Sequence, residues 1–186
     1  MKVVLNLIYK LLVAADKIID KFFKKSFLYY FKDLFEKDLY VEKKILNKKI
    51  SFHIPNKITK WRVETFYEKE PETLEWIDSF NDNNKIIFWD IGANIGLYSI
   101  YAALKHKNIE IISFEPSTNN LRILSRNISI NNLEEKIKIN QFPLSDKTNE
   151  FASMNESEFI EGWSMGTFAY QNDFEGKHFT PKQKYK

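Results

Sequence analysis

The chain contains no cysteine. Disulfide staples and cysteine-ligated zinc are excluded, and the lack agrees with a reducing compartment. Glycine and proline are scarce, five of each in 186 residues. The few turns that carry glycine are therefore informative. No G-x-G-x-x-G run occurs, and there are no internal repeats and no low-complexity linker. The three histidines, His53, His106 and His178, have no metal-ligand spacing, and no metal is expected. A membrane span needs roughly 20 apolar residues, and Lys10, Asp16 and Lys17 interrupt the only long apolar start. A signal peptide would need a cleaner apolar region before a small-residue cleavage site. Ala14-Ala15 is a faint match.

Hydrophobic residues make up 44% and aromatics 16%, enough for the core of one ordinary domain. The net charge of +3 hides an asymmetry. Residues 1–60 carry 14 lysines against 6 acids, a net of +8, and residues 61–186 carry a net of −5. The expected organisation is a basic front of helices plus a hairpin (1–60), then an α/β domain (61–186).

Val4, Ile8, Leu11, Ala15, Ile18 and Phe22 recur at spacings of three and four, the pattern of an amphipathic helix. Lys10, Lys17, Lys21, Lys24 and Lys25 supply its basic side. Two readings fit: a helix packed on the domain, or one lying on an anionic membrane surface or a partner. Residues 39–54 alternate around Leu46-Asn47-Lys48-Lys49 and predict a β-hairpin. EPETLEWIDSF predicts a helix with Pro71 at its first position and Leu74, Ile77 and Phe80 on one face. After NDNN come strand, loop, helix, strand, helix and strand, over 86–91, 99–105, 110–115, 116–132 and 136–142. That alternation predicts a parallel α/β sheet. The run Ile86-Ile87-Phe88-Trp89 predicts a central strand buried on both faces. Residues 147–186 read as loops with at most a hairpin.

The first strand stops on a carboxylate in Asp90-Ile91-Gly92-Ala93-Asn94-Ile95-Gly96. In parallel α/β sheets ligands bind beyond the carboxyl ends of the strands, and the following helix offers free N–H groups. Gly92 and Gly96 permit tight turning and close approach of a ligand. Asn94 tolerates a left-handed conformation. Asp90 suits a cationic amino group, bound water, or a helix cap. Glu115 lies at the tip of the second strand, 19 residues after Gly96, where a carboxylate can accept from ribose hydroxyls. Nicotinamide dinucleotides and S-adenosylmethionine share this layout. The loop reads G-A-N-I-G-L, which fails the dinucleotide pattern and suits S-adenosylmethionine better.

EPETLEWIDSF, FWDIGANIGLYSIYAA, ISFEPS and FPLSD together resemble the FkbM-type family of class I S-adenosylmethionine-dependent methyltransferases, over roughly residues 65–146. The resemblance implies the front half of a Rossmann-like class I methyltransferase sheet. It also implies O-methyl transfer to a small-molecule or glycan hydroxyl, on a sugar or a secondary metabolite. Carried over by position, Asp90, Gly92, Asn94 and Gly96 line the cofactor loop and Glu115 takes the ribose. Glu70 and Thr73 match a recurrent EPET, either as cofactor contacts or as a helix start. Gln141 and Phe142 end the third strand, where these folds flank the adenine.

The sequence departs from the family after Phe142. A complete sheet has seven strands, and the expected D-x-x-K-x-D-x-E-G run is absent. The expectation is an incomplete enzyme, inactive and poorly folded alone, with its first strand unpaired along one side. No catalytic side chain is assigned. Asp173, Glu175 and His178 lack a scaffold for a base, and WSMGTFAY either lines an acceptor site or packs as a hairpin. The alternative is a non-catalytic remnant binding a membrane or a protein through its basic front. A cytoplasmic location is expected, extending to the inner face of the membrane if the front helix docks there. No nucleic-acid partner is expected.

Overall fold

The computed structural model describes residues 1–147, 151–173 and 175–186. The chain divides into two compact units, Met1–Tyr40 and Val41–Lys186.

The first unit is a helical pair, α1 (Lys2–Phe23) and α2 (Phe27–Lys37). Lys24 ends α1 in the left-handed region, at φ 53°. Ser26 does not cap α2 with its own side chain. Asp16 of α1 does so instead: Oδ1 accepts from the Leu28 N–H at 3.1 Å and Oδ2 from the Ser26 hydroxyl at 2.8 Å. A carboxylate there also meets the positive end of the helix. Phe27, Phe31 and Phe35 form an i, i+4 ladder with centroids 5.9 and 6.2 Å apart. No residue of either helix is buried, so Val4, Ile8, Leu11, Ile18 and Phe22 stay on the surface.

The expected hairpin is present as β1 (Tyr40–Ile45) and β2 (Lys48–His53). Leu46 and Asn47 turn it with φ of 46° and 66°, a two-residue turn whose twist matches that of the strands. Its lysines extend the basic front, yet Ile45, Ile50 and Phe52 are buried in the core of the second unit. Asn127 Oδ1 accepts from the His53 N–H at 2.8 Å, and Asn131 bonds both N–H and C=O of Ser51. Two asparagine side chains thus cover the open edge of β2. Pro55-Asn56 ends the hairpin but also starts an unforeseen helix, α3 (Lys57–Glu64). Asn56 Oδ1 accepts from the N–H groups of Ile58 and Thr59, while Thr59 Oγ1 accepts from the Asn56 N–H. This is a capping box, and the N-x-x-T spacing was its signal. α4 (Pro71–Asp78) follows, with Pro71 in its first turn and Leu74 and Ile77 buried as expected.

The central sheet is parallel, in the order β3 (Ile86–Ile91), β4 (Ile109–Phe114), β5 (Ile137–Asn140), joined by α5 (Leu97–Lys105) and α6 (Thr118–Ser129). Phe88, Ile111 and Ile137 stand side by side across it. They are buried, as are Ile100, Ala102, Ile123 and Leu124 of the helices. The opposite face differs from expectation. Ile87, Trp89 and Ile91 are 62%, 54% and 64% exposed. Among the described residues β3 pairs only with β4, which makes it an edge strand with one covered face. Its apolar run suits two covered faces, and the described elements supply one.

Beyond β5, the chain forms a small antiparallel sheet rather than a single hairpin. Its order is β7 (Gly166–Phe168), β6 (Met154–Glu156), β8 (Gln183–Tyr185). His106 is buried, with Nδ1 2.8 Å from Asp82 Oδ1 and Nε2 2.8 Å from the Ile77 carbonyl, a packed residue. No group of three or more His, Asp or Glu among the described residues can hold a metal. No described helix is long and apolar enough to cross a membrane.

Candidate ligand site at the glycine loop

Three left-handed residues shape the loop between β3 and α5: Gly92, Asn94 and Gly96, with φ of 78°, 52° and 87°. The N–H groups of Gly92 and Ala93 both donate to the Phe114 carbonyl, at 2.9 and 3.0 Å. This holds the loop against the carboxyl end of β4. The two glycines do different work. A Cβ on Gly92 would project into open space, whereas one on Gly96 would stand 2.6 Å from Leu124 Cδ1. Gly92 leaves room beside the backbone, and Gly96 lets the loop pack against α6.

Asp90 is buried beneath this loop. Its Oδ2 accepts from the N–H of Ser99 at 3.0 Å and from the Ser99 hydroxyl, which in turn lies 2.6 Å from Ser113 Oγ. It therefore caps the first turn of α5 from the strand below. Burial raises its pKa, the Ser99 bonds oppose that, and Glu70 adds to it. Glu115 is also buried. Its Oε2 accepts from the Asn94 N–H at 2.6 Å and its Oε1 from the Ser117 N–H at 2.9 Å. One carboxylate thus ties the loop after β3 to the turn after β4. Burial raises its pKa against the Ser117, Asn94 and Asn120 hydrogen bonds, and Glu156 raises it further.

Glu70 precedes α4, and its carboxylate is held below the usual range, first by the Lys69 hydrogen bond and also by one from Tyr98. Burial and that same contact push the Tyr98 hydroxyl up. Glu70 thus reaches α5 beside the loop. Thr73 sits in the first turn of α4, where its N–H donates to the Glu70 carbonyl at 3.1 Å. Phe142 is 68% exposed and lines a cleft of about 230 Å³ with Pro116, Leu121, Met154, Phe168 and Tyr185. The structure therefore gathers Asp90, Gly92, Asn94, Glu115 and Glu70 around the loop. Gly96 lies in the packing beneath it, Thr73 one helical turn away, and Phe142 in the neighbouring cleft.

Sequence reasoning missed the piece that lies across this loop. The Gly162 N–H donates to Asn120 Oδ1 at 2.7 Å, and Asn120 Nδ2 donates to the Trp163 carbonyl at 2.8 Å. Asn94 Nδ2 donates to the same Trp163 carbonyl at 3.1 Å. Arg62, in the last turn of α3, donates from Nε to the Gly162 carbonyl at 2.6 Å. Trp163 was read as part of an acceptor wall or a packed hairpin; what binds here is its backbone. Asn94 Oδ1 is buried without a hydrogen-bond partner. An orphaned acceptor of this kind calls for a donor.

No family model matches the chain. A curated methyltransferase of Sordaria araneosa, sdnD, is 36% identical over 80 residues, which span 43% of this chain and 31% of that protein. Similar solved structures include precorrin-6y C5,15-methyltransferase of Geobacter metallireducens, at 23% identity and a TM-score of 0.36, covering 40% of this chain and 38% of that one. Another is a SAM-dependent methyltransferase of Agrobacterium tumefaciens, at 13% identity and a TM-score of 0.44, covering 55% of this chain and 32% of that one.

Proposed function

We propose that this chain supplies the cofactor-binding part of an S-adenosylmethionine-dependent methyltransferase of the FkbM type, acting on a hydroxyl of a sugar, glycan or secondary metabolite. The observation that carries the reading is the loop itself: Gly92 opening on free space, the buried Asn94 amide oxygen without a donor, and Asp90 and Glu115 buried on either side. These residues fit the cofactor. Each Glu115 oxygen accepts one backbone N–H and Asn120 adds a side-chain hydrogen bond, which leaves the carboxylate one acceptor site for a ribose hydroxyl. Asp90 spends only Oδ2 on Ser99, leaving its second oxygen for an amino group. Phe142 and Pro116 give the neighbouring cleft an apolar wall suited to an adenine, and Glu70 stands beside the loop through Tyr98, with Thr73 behind it in the first turn of α4. When bound, the sulfonium cofactor would supply a methyl group activated for in-line transfer to an acceptor oxygen, with the neutral thioether S-adenosylhomocysteine as leaving group and the hydroxyl proton passing to a base or to solvent. The chain's part in this reading is to hold the cofactor in a fixed orientation, and proximity of the acceptor to it supplies much of the acceleration.

Residues 61–186 form the methyltransferase part in this reading, and residues 1–60 the basic front. A second role is favoured by one observation: α1 and α2 bury no residue. The pair docks on an anionic lipid surface, at the inner face of a membrane, through its apolar stripe and flanking lysines.

A melting experiment tests the cofactor class. S-adenosylhomocysteine at about 100 times its Kd should stabilise the folded chain by about 2.7 kcal/mol, and NADH at the same concentration should leave the melting temperature unchanged. A shift with NADH and none with S-adenosylhomocysteine would assign the loop to a dinucleotide instead.

A further inference from the structure

Arg62 brings a guanidinium into this site, and only part of its hydrogen-bonding capacity is used. Nε donates to the Gly162 carbonyl. Among the described residues neither terminal nitrogen has a hydrogen-bond or ion-pair partner. They are not among the buried unpartnered atoms, so they reach solvent and are open to a ligand. Here burial lowers the pKa, while Glu70, Glu115 and Tyr98 lie close enough to oppose that. Glu70 is already bonded to Lys69 at 2.8 Å and Glu115 to two backbone N–H groups. The carboxylates near Arg62 are therefore engaged elsewhere.

Arg62 and Asn94 converge on one point. The Gly162 carbonyl accepts Arg62 Nε at 2.6 Å and lies 3.4 Å from Asn94 Nδ2. Two groups near that carbonyl are open to a ligand: the terminal guanidinium N–H groups, which have no protein acceptor among the described residues, and the buried Asn94 Oδ1, which lacks a donor. A ligand that answers both carries an anion and a cationic N–H donor a few atoms apart. An α-amino-acid head group has that chemistry, with its carboxylate on the guanidinium fork and its ammonium on the amide oxygen.

We propose that Arg62, oriented by the Gly162 carbonyl, binds the carboxylate of the cofactor's amino-acid moiety and makes the site selective for adenosyl ligands that carry a zwitterionic tail. This rests on the S-adenosylmethionine reading above. It adds a residue that no motif marks and gives the chain around Gly162 a task, that of fixing the direction of the fork. Replacing Gly162 would disturb it, because a Cβ there meets Thr59 Cγ2 at 3.0 Å in α3 itself.

The test compares two ligands on three proteins by calorimetry. S-adenosylhomocysteine carries the zwitterion, and 5′-methylthioadenosine lacks it. For the parent chain, S-adenosylhomocysteine should bind the more tightly. Arg62→Met should lose roughly 10–100-fold in affinity for it, the scale of charge-assisted hydrogen bonds, and keep its affinity for methylthioadenosine. Arg62→Lys should recover part of the loss. Equal losses for both ligands in Arg62→Met and in Arg62→Lys would make Arg62 a structural clasp and overturn the proposal. So would an unchanged S-adenosylhomocysteine affinity. If the parent binds neither ligand, the adenosyl reading itself falls, and this one with it.

Discussion

Gly92 and Gly96 look alike in the sequence, yet they answer to different constraints. Both have positive φ, so an alanine at either adds about 1–2 kcal/mol of strain. Only Gly96 also faces a buried neighbour, Leu124, and overpacking there adds about 1–3 kcal/mol. Denaturant melts should therefore rank Gly96→Ala below Gly92→Ala in stability. Calorimetry with S-adenosylhomocysteine should rank them the other way, because the Cβ of Gly92→Ala projects into the ligand's space. The reverse order in both experiments would place the cofactor elsewhere. Much of this chemistry was legible because it is local: D-I-G-A-N-I-G carries the carboxylate, the glycines and the left-handed Asn94 within seven residues. Glu115 was legible because spacing along a βαβ unit is nearly fixed. Arg62 was not. Its partner, Gly162, is 100 residues away, and no periodicity records a contact of that range.

At the scale of elements, the sequence reading succeeded where one pattern had one physical cause. The three-and-four spacing marked α1, one apolar face behind Pro71 marked α4, and alternation around Leu46-Asn47-Lys48-Lys49 marked the β1–β2 hairpin. α3 escaped because its apolar face is short and its capping box lay in a stretch read as the end of the hairpin. β3 misled for the opposite reason. Its apolar residues alternate to both faces, and only one face is covered by the described helices. α1 and α2 raise a similar question, since their apolar stripe is exposed. If it docks on lipid, the chain should pellet with anionic liposomes. Changing Lys10, Lys17, Lys21 and Lys24 to Gln should reduce pelleting. Added salt should do the same, because surface charges are screened within about 8–10 Å near physiological ionic strength. Failure of the parent chain to pellet would end the lipid reading and leave that of a helix packed on the domain.

For the whole molecule, the decisive arrangement is the convergence of three chain segments at one end of the parallel sheet. The loop after β3 and the turn after β4 are joined by Glu115. The chain at Gly162 closes over them through Asn94, Asn120 and Arg62. Ligands of parallel α/β sheets bind at that end, which is why a single carboxylate can report on the entire site. Removing it has two consequences. Two backbone N–H groups lose their acceptor, which lowers stability by about 1–3 kcal/mol per unsatisfied group. In the proposed complex the ribose also loses its charged partner. The most direct measurement is a calorimetric titration of the 186-residue chain and its Glu115→Ala variant with S-adenosylhomocysteine, at a temperature where both are folded. The parent should bind, and the variant should bind more weakly by about 1–3 kcal/mol. Equal affinities, or no heat of binding to the parent, would contradict the assignment of this crevice to the cofactor.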